Sequence, residues 1–565
     1  MKDSDVKTIP HTRGGALFCF PINGIAGQTE RWYNKHMEFN WIIKNGSILD
    51  GSGTEAYRAD IGVRGGTIAA IGDLSAANAG EVLDAAGRVV TPGFIDAHRH
   101  ADTAVFSEGF GKAELWQGLT TVINGNCGLS AAPVSGPHKN DVAAYLYPIT
   151  GALGGIPVSS LSAYQKALKN RPLPIHAGML AGLGTIRACV AGFSKKLDDA
   201  DYRAMHTLLE QTLSEGALGV SLGLGYAPEC FFRTEELIFA LEPIRNTDVP
   251  LSVHMRSESM NLLDSIDEAI AIAKALRVPL QISHLKAVGK DRWGTLVYDA
   301  LERIRKARED GLDVMCDAYP YTAGSTQLLH VLPPEFLEGG TEAIAKRLKD
   351  PDAQKVLSER FKNGTDYDNY AKLIGWENIE ISSVRCEADK RLVGKTVADA
   401  AGNGEPWRFA AELLSRNACA VTMIDRLTHE DDIAAIYKEP FSYVISDATY
   451  PESGIPHPRV YGTFSRVLER FVKERRTLPL SEAVKKMTRM PADRYKLTNK
   501  GRIEPGADAD LLIFDPDRIH ERATFEQPAQ CSAGIETVFV NGVPAVKDGV
   551  LTGTMHGTVL ERRRT

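Results

Sequence analysis

The feature that most constrains the fold is a series of eight short apolar runs, most of them separated by segments with helical periodicity. In order, the runs are GFIDAH, TTVING, PIHAGM, LGVSLG, PLSVHM, PLQISH, DVMCDA and YVISDA. Between them, segments such as NLLDSIDEAIAIAKALR carry apolar residues at helical spacing and end in a basic turn, which suits the helix dipole. Strand and helix alternating eight times predict an α/β fold, a parallel (β/α)8 TIM barrel.

The chain has 565 residues, which is more than one hydrophobic core normally organises. Runs rich in β-branched residues and punctuated by Gly, Asn and Asp occur near both ends, so we expect residues 39–92 and 499–557 to form one small β-sandwich domain. The barrel domain then spans 93–498. The long crossover before the eighth run predicts an inserted subdomain at about 333–440. Residues 1–38 are predicted to be an N-terminal extension.

Composition narrows the range of partners. The formal net charge of -7, without a basic tract, gives no reason to expect a nucleic-acid partner. No apolar stretch approaches the ~20 residues needed to cross a bilayer, so we expect no membrane partner. Eight cysteines are dilute in this length and suggest no disulfide framework, which predicts a reducing, cytoplasmic location. The oligomeric state is not indicated.

Metal-binding residue types recur at the carboxyl ends of the predicted strands, where barrel enzymes place their chemistry. His98 and His100 close the first run, and residues two apart on a strand point to the same face. The full set at these strand ends is His98, His100, Cys127, His254, His284 and Asp447. Imidazole, thiolate and carboxylate are ligands that zinc prefers, so the pattern predicts a zinc site.

The alternative for each of these residues is ordinary packing. A lone His or Cys in a barrel is more often a core residue than a ligand, but six suitable residues at the ends of five strands are not explained that way. Other cysteines and histidines lack this context and are interpreted as structural; they are Cys19, Cys189, Cys230, Cys316, Cys386, Cys419, Cys531, His176, His330, His429 and His457.

Seven motifs in order carry a family resemblance. GFIDAHRHAD, TTVINGNCG, HMRSE, ISHLK, DAYPYTAGST, SDATYP and HPRVYGTFSRVL resemble the D-aminoacylase branch of the amidohydrolase superfamily, as does the late segment GRIEPGADADLLIFD. The resemblance runs from about Phe39 to Gly557. It implies zinc-dependent hydrolysis of the amide of an N-acyl-D-amino acid, which gives a carboxylate and a free D-amino acid. The D-preference comes from this resemblance alone.

The resemblance also assigns the metal ligands. In that family the Cys of the NCG motif replaces a carboxylated Lys, and the fourth run here contains no lysine. One tightly bound Zn2+ is implied at Cys127, His254 and His284. A second, weaker metal position is implied at His98, His100 and Asp447. Arg99 departs from the family pattern, in which a small or polar residue more often separates the two histidines, and this departure puts affinity at the second position in doubt.

Amide hydrolysis needs proton transfer beside the metal, and Asp447 can accept a proton from water and deliver it to the leaving nitrogen. A plain metal ligand is its alternative role. The substrate α-carboxylate needs cations or hydrogen-bond donors, and the residues expected to contact substrate, mainly by resemblance, are Lys286, Tyr319, Ser325, Arg459, Tyr226 and Arg256. For Arg256 a structural ion pair is the equal alternative. The segment GSTQLLHVLPPEF supplies no Arg or Lys, which predicts a neutral or apolar substrate side chain.

Two other functions stay open at this point. A cyclic-amide hydrolase of the dihydropyrimidinase or dihydroorotase kind generally needs a carboxylated Lys, and none lies at the end of a plausible early strand. A non-catalytic scaffold with the same fold would tend to lose metal ligands, whereas all six are present here.

Overall fold

The structure, a computed structural model, describes residues 38–562. The N-terminal extension predicted over 1–38 therefore lies, apart from Glu38, outside the described residues, and so does Cys19. No helix within the described range is both long and apolar enough to cross a membrane.

Each of the eight predicted runs contains a strand, and neighbouring strands pair in parallel. One sheet has the order His176–Met179, Leu119–Asn124, Phe94–Asp96. The other has the order Ala181–Gly182, Val220–Gly223, Leu251–His254, Leu280–Ile282, Val314–Ala318, Ser442–Val444. The strand Ala181–Gly182 of the second sheet follows directly after the third run.

The first and eighth runs also meet. Arg99–His100 pairs in parallel with Ala448–Thr449, just beyond the main strands of those runs. The mixed α/β class is thus confirmed, and the pairing order is compatible with the predicted barrel.

Helices separate most of these strands, and their sequences explain why they form. The Asp198 carboxylate accepts hydrogen bonds from the backbone N–H groups of Ala200 and Asp201, which caps the helix Asp199–Ser214. That helix buries Met205 and Leu209, one turn apart. From residue 38 to the seventh strand, the other α-helices are Lys112–Leu115, Lys139–Thr150, Leu161–Lys169, Leu183–Ala191, Thr234–Ala240, Leu262–Leu276 and Leu296–Glu309.

The crossover between the seventh and eighth runs carries its own sheet. Three antiparallel strands lie in the order Ala323–Gln327, Val421–Arg426, Ile379–Val384. The accompanying α-helices are Gly340–Arg347, Pro351–Asn363, Tyr370–Leu373, Val397–Ala401, Pro406–Arg416 and Glu430–Lys438. The first of these strands lies before residue 333, where the inserted subdomain is predicted to begin.

Strands from both ends of the chain share one sheet. Its order is Val550–Leu551, Val543–Lys547, Ile535–Val540, Leu511–Phe514, Val89–Pro92, Ser47–Ile48, Tyr57–Arg58. A second sheet has the order Thr67–Gly72, Asp60–Arg64, Phe39–Lys44, Ala79–Asp84. Trp41 packs edge-on against Phe539 at 5.3 Å between ring centroids, which joins the apolar faces of the two sheets. The predicted domain boundaries stay predictions.

A buried carboxylate ties this region to the parallel sheets. Asp510, directly before the strand Leu511–Phe514, lies 3.0 Å from His176 Nε2 and accepts a hydrogen bond from Lys500 Nζ at 2.7 Å. It also accepts from the backbone N–H of Asn541 at 2.8 Å. Burial alone would raise the pKa of Asp510, but His176 and Lys500 hold it below its usual value.

Replacing Asp510 by Ala should destabilise the protein strongly. The change leaves the buried Lys500 ammonium without its nearest carboxylate, and breaking a buried pair in this way costs about 3–5 kcal/mol of unfolding free energy. Asp508→Ala is the matched control, because Asp508 contacts the same ammonium from a position that is 27% exposed. Thermal midpoints of the two variants measure the effect, and equal midpoints would contradict this role of Asp510.

Candidate active site

The structure brings the six predicted metal ligands together beyond the carboxyl ends of their strands. His254 is the last residue of the strand Leu251–His254, and His284 follows the end of Leu280–Ile282 by two residues. All six lie in two overlapping groups of potential metal-binding atoms, which are His98, His100, Cys127 and Asp447, and Cys127, His254 and His284.

The Cys127 thiol belongs to both groups. Its Sγ lies 3.4 Å from His284 Nε2 and 3.2 Å from His98 Nε2. His284 Nε2 lies 2.9 Å from His254 Nδ1. On the other side, Asp447 Oδ1 lies 3.4 Å from His98 Nε2 and 3.3 Å from His100 Nε2. The sulfur therefore stands between a two-histidine group and a group of two histidines and a carboxylate.

These separations fit zinc. Ligand atoms bound tetrahedrally at about 2.0–2.3 Å from one ion are roughly 3.5 Å apart, close to the distances found here. Nitrogen, sulfur and carboxylate oxygen are also the donor types that zinc takes. The arrangement could hold two neighbouring metal ions with the thiolate of Cys127 shared between them.

Three of the ligands have an unusual backbone conformation. The φ angles of Cys127, His284 and Asp447 are 54°, 35° and 55°, in the left-handed region that non-glycine residues disfavour. Such conformations persist only where the surrounding structure imposes them, and they concentrate at functional sites. The fold thus holds three ligand side chains in place at a local energetic cost.

Burial sets the protonation of three predicted ligands, His254, His284 and Cys127. It lowers the pKa of His254 well below its usual value and that of His284 to about 4, so both imidazoles are neutral, as metal binding requires. Burial raises the pKa of the Cys127 thiol well above its usual value. A thiolate at this position therefore needs a cation beside it, which a bound metal would supply.

Asp447 is held in its ionised form. Burial would raise its pKa, but Arg459, His100 and His98 together keep it well below the usual range. Arg459 NH1 lies 3.0 Å from Asp447 Oδ2. The same guanidinium donates from NH2 to the carbonyl of Ser325 at 2.9 Å, which fixes its position. Asp447 can thus serve as a base beside the metal positions.

Two acids that sequence reasoning missed support His284. Glu258 Oε1 lies 3.0 Å from His284 Nδ1, so the opposite ring nitrogen, Nε2, faces the other ligands. Asp317 Oδ1 accepts a hydrogen bond from the backbone N–H of His284 at 2.6 Å. Both acids lie in or beside conspicuous motifs, HMRSE and DVMCDA. The signal that could have found Glu258 is the general need of a metal-binding imidazole for a second hydrogen-bond partner.

Three of the predicted substrate contacts lie beside the ligands. Lys286 Nζ donates to Glu258 Oε1 at 2.5 Å and to the carbonyl of His284 at 3.0 Å. The Tyr319 hydroxyl is buried and has no hydrogen-bond partner within residues 38–562. The ring of Tyr226 packs 4.6 Å from that of His254. These groups and Arg459 could meet a ligand that enters beside the metal positions.

Arg256 is placed differently. Its guanidinium forms an ion pair with Glu268, with Nε 2.9 Å from Oε2, and donates to the carbonyls of Cys230 and Phe232 at 3.0 Å. The strand that carries His254 ends at that residue, so strand alternation does not extend to Arg256. The structure therefore shows the ion pair that was the alternative for this residue.

Comparison with known proteins adds independent findings. A model of the Amidohydrolase family matches residues 81–338 and 407–546. The D-aminoacylase of Alcaligenes xylosoxydans xylosoxydans is 34% identical over 526 residues, which are 93% of this chain and 98% of that protein.

Solved structures are similar too. The N-acyl-D-glutamate deacylase of Bordetella bronchiseptica is 31% identical, with a TM-score of 0.78 over 93% of this chain and 99% of that chain. That structure is complexed with zinc and with a phosphonate inhibitor that mimics the tetrahedral intermediate. A D-aminoacylase structure described by its binuclear metal center, with one-metal activation and second-metal attenuation, is also 31% identical, with a TM-score of 0.77 over 93% of this chain and 100% of that one.

Arg99, between the first two histidines, points away from the ligands into a buried polar network. Its guanidinium lies 3.0 Å from Asp96 Oδ2 and 2.8 Å from Glu114 Oε1. It also donates to Ser446 Oγ at 3.1 Å, next to Asp447 in sequence. Arg99 therefore joins the segment that carries His98 and His100 to the segment that carries Asp447.

Arg99→Met should destabilise the protein, because it leaves the carboxylates of Asp96 and Glu114 buried without their cation. The expected loss is about 3–5 kcal/mol of unfolding free energy. The double variant Arg99→Met with Glu114→Gln should recover part of the loss, because one of the stranded charges is then removed. Denaturant midpoints test both expectations. The single variant Glu114→Gln is measured as well. If Glu114→Gln destabilises the Arg99→Met variant by as much as it destabilises the parent protein, the two residues are not coupled and this expectation is refuted.

Proposed function

This chain belongs to the amidohydrolase family as a D-aminoacylase-like, metal-dependent member, and from this premise we propose that it hydrolyses the amide bond of N-acyl-D-amino acids. The products are a carboxylate and a free D-amino acid. The observation that carries the proposal is the Cys127 thiol, which lies within 3.4 Å of an imidazole of each metal-binding group. A non-catalytic scaffold protein has no need of such a centre. Three of its residues are held in disfavoured backbone conformations.

The proposed tight zinc site is Cys127, His254 and His284, with the weaker position at His98, His100 and Asp447. The one-metal activation and second-metal attenuation described for a D-aminoacylase support this division of roles. A zinc ion, when bound, lowers the pKa of a water ligand to about 7 and polarises the substrate carbonyl. Glu258 and Asp317 fix the ring and the backbone of His284, so the ligand geometry exists before substrate arrives.

Asp447 performs the proton transfer in this proposal. Its carboxylate, kept ionised by Arg459, accepts the proton that the attacking water loses. It then delivers that proton to the leaving nitrogen, which an amide needs because a free amide anion is a very poor leaving group. The side chain is 13% exposed, so it can reach a substrate and still contact His98 and His100.

We propose that the substrate α-carboxylate binds beside this carboxylate, where cations and donors collect. The contributing residues are Lys286, Tyr319, Ser325, Arg459 and Tyr226. Arg459 and Tyr319 are neighbours, since the guanidinium carbon lies 5.0 Å from the centre of the tyrosine ring. For Arg256 we propose the structural role, because Glu268 neutralises its charge.

The parallel strands are proposed to close into a (β/α)8 barrel with this site at its carboxyl rim. The cytoplasmic location stays a prediction.

Racemic N-acetyl-leucine should yield D-leucine and leave the L-substrate intact, and N-acetyl-D-leucine should be hydrolysed faster than N-acetyl-D-glutamate. The second expectation follows because the segment after Ser325 offers no cation for a side-chain carboxylate. Chiral chromatography of the products and kcat/KM for the two D-substrates provide the measurements. A strong preference for N-acetyl-D-glutamate would defeat the proposed neutral or apolar side chain.

Asp447→Ala should retain the tightly bound zinc but lose nearly all turnover. The three ligands of the tight site are unchanged, whereas removal of a general acid–base group typically costs about 10²–10⁴-fold in rate. Zinc content per chain and kcat are measured on the same preparation. Asp447→Asn serves as the matched control, because it keeps the size of the side chain but not its basicity. Turnover close to that of the parent in either variant would show that Asp447 is only a ligand.

A further inference from the structure

Asp425 is a buried acid outside the set of residues assigned so far. It lies on the strand Val421–Arg426 of the crossover sheet, directly opposite Gly324 in the antiparallel pair with Ala323–Gln327. The side chain is almost fully buried, with 1% of the residue exposed. This pairing places an acid from the crossover beside Gly324.

The face of the sheet that carries Asp425 is turned towards the metal ligands. Strand alternation places Asp425, Gly324 and Thr326 on one face. Thr326 shares a hydrogen bond of 2.8 Å with the hydroxyl of Tyr226, whose ring packs against His254. The Asp425 carboxylate thus lies on the same side as the proposed zinc site.

Asp425 and Tyr319 offer two polar groups without partners at one place. Asp425 Oδ1 and the Tyr319 hydroxyl are both buried, and neither has a hydrogen-bond partner among the residues that the structure describes. Both border Gly324, since a Cβ built on that glycine would lie 2.8 Å from Asp425 Oδ1 and 3.2 Å from the Tyr319 hydroxyl. A buried carboxylate oxygen without a donor is costly, so a site that keeps one is built to receive a donor from a ligand.

The nearby cations do not neutralise this carboxylate by contact. Lys286 forms its ion pair with Glu258, and Arg459 forms its ion pair with Asp447. Both cations favour the charged form of Asp425 from a distance, yet burial outweighs them and raises its pKa to about 7. A hydrogen-bond donor or a cation from a bound molecule would therefore relieve an existing energetic cost.

We propose that Asp425 determines side-chain specificity by accepting a hydrogen bond from the side chain of the substrate, which is then a D-amino acid with a donor at the end of its side chain. The inference rests on the proposed function. In that function the acyl carbonyl faces the metal and the α-carboxylate faces Lys286, Tyr319 and Arg459. The third substituent on the α-carbon is the side chain. It is the group that remains to face Asp425, which adjoins the residues proposed to bind the α-carboxylate. In its ionised form, Asp425 would repel a side-chain carboxylate.

The test compares substrates matched in length. N-Acetyl-D-glutamine carries a terminal donor, N-acetyl-D-methionine carries none, and N-acetyl-D-glutamate carries an acceptor. We expect kcat/KM for the glutamine substrate to exceed that for the methionine substrate by about tenfold or more, because one hydrogen bond to a buried charged group is at stake. N-Acetyl-D-lysine is compared with N-acetyl-D-norleucine, which has the same four side-chain carbons but lacks the ammonium group, and this pair tests an ammonium donor.

Asp425→Asn keeps the shape of the side chain and replaces one acceptor oxygen by a donor. It should lower the ratio of kcat/KM for the glutamine substrate over the glutamate substrate by about tenfold or more. Glu380→Gln is the matched control, because Glu380 lies on the neighbouring strand Ile379–Val384 and its loss should leave every ratio unchanged. If Asp425→Asn does not fold, the comparison of substrates with the parent enzyme still decides the matter.

The outcomes separate this inference from the function on which it rests. Equal kcat/KM for the glutamine and methionine substrates, and likewise for the lysine and norleucine substrates, would overturn the role of Asp425 while leaving deacylation intact. A uniform loss of activity in Asp425→Asn with unchanged ratios would also overturn the role of Asp425. That result would mean that Asp425 supports the structure or the binding of the α-carboxylate. If the zinc-loaded parent hydrolyses none of these N-acetyl-D-amino acids, the proposed function fails, and this inference fails with it.

Discussion

The buried thiol of Cys127 is the constraint on which the rest of the site depends. It lies 3.2 Å and 3.4 Å from imidazoles that come from different strands, in surroundings that favour its neutral form. A thiolate becomes stable there only beside a cation, and the neutral imidazoles of His254 and His284 are ready to bind one. The contacts around the site serve to hold this sulfur and these nitrogens within the few ångströms that a metal ion allows.

Buried charges form the layer that holds the ligands. Glu258 lies between His284 and Lys286, Arg459 beside Asp447, and Arg99 between Asp96 and Glu114. Each charge in this layer has an opposite partner, which offsets the cost of removing it from water. Because such pairs tolerate little displacement, they favour one arrangement of the ligands. A centre organised in this way needs little rearrangement during a reaction. Such preorganisation of charges and dipoles is the main source of electrostatic stabilisation in enzymes.

The sequence predicted most of what depends on local pattern. Apolar runs mark the eight strand positions, and residue types at the ends of those strands mark the six residues that the structure brings into two candidate metal-binding groups, because the carboxyl ends of parallel strands converge. It could not predict contacts beyond a strand end. Alternation suggested that Arg256 shares the face of His254, but the strand stops at His254 and the side chain turns to Glu268. The support from Glu258 and the position of Asp425 depend on long-range packing and on the register of the crossover strands, which a single sequence does not reveal.

In the proposed function, chemistry and selectivity come from different parts of the chain. The six predicted metal ligands follow or end parallel strands, whereas Asp425, Thr326 and Gly324 lie on antiparallel strands of the crossover. A substitution on the crossover strands can change which side chain fits without moving any of the six predicted ligands. Such a division allows similar proteins to have different named substrates, as a D-aminoacylase and an N-acyl-D-glutamate deacylase do. On this proposal, an acid in place of an apolar or basic residue at position 425 alters the charge presented to the substrate side chain and leaves the proposed proton transfer at Asp447 unchanged.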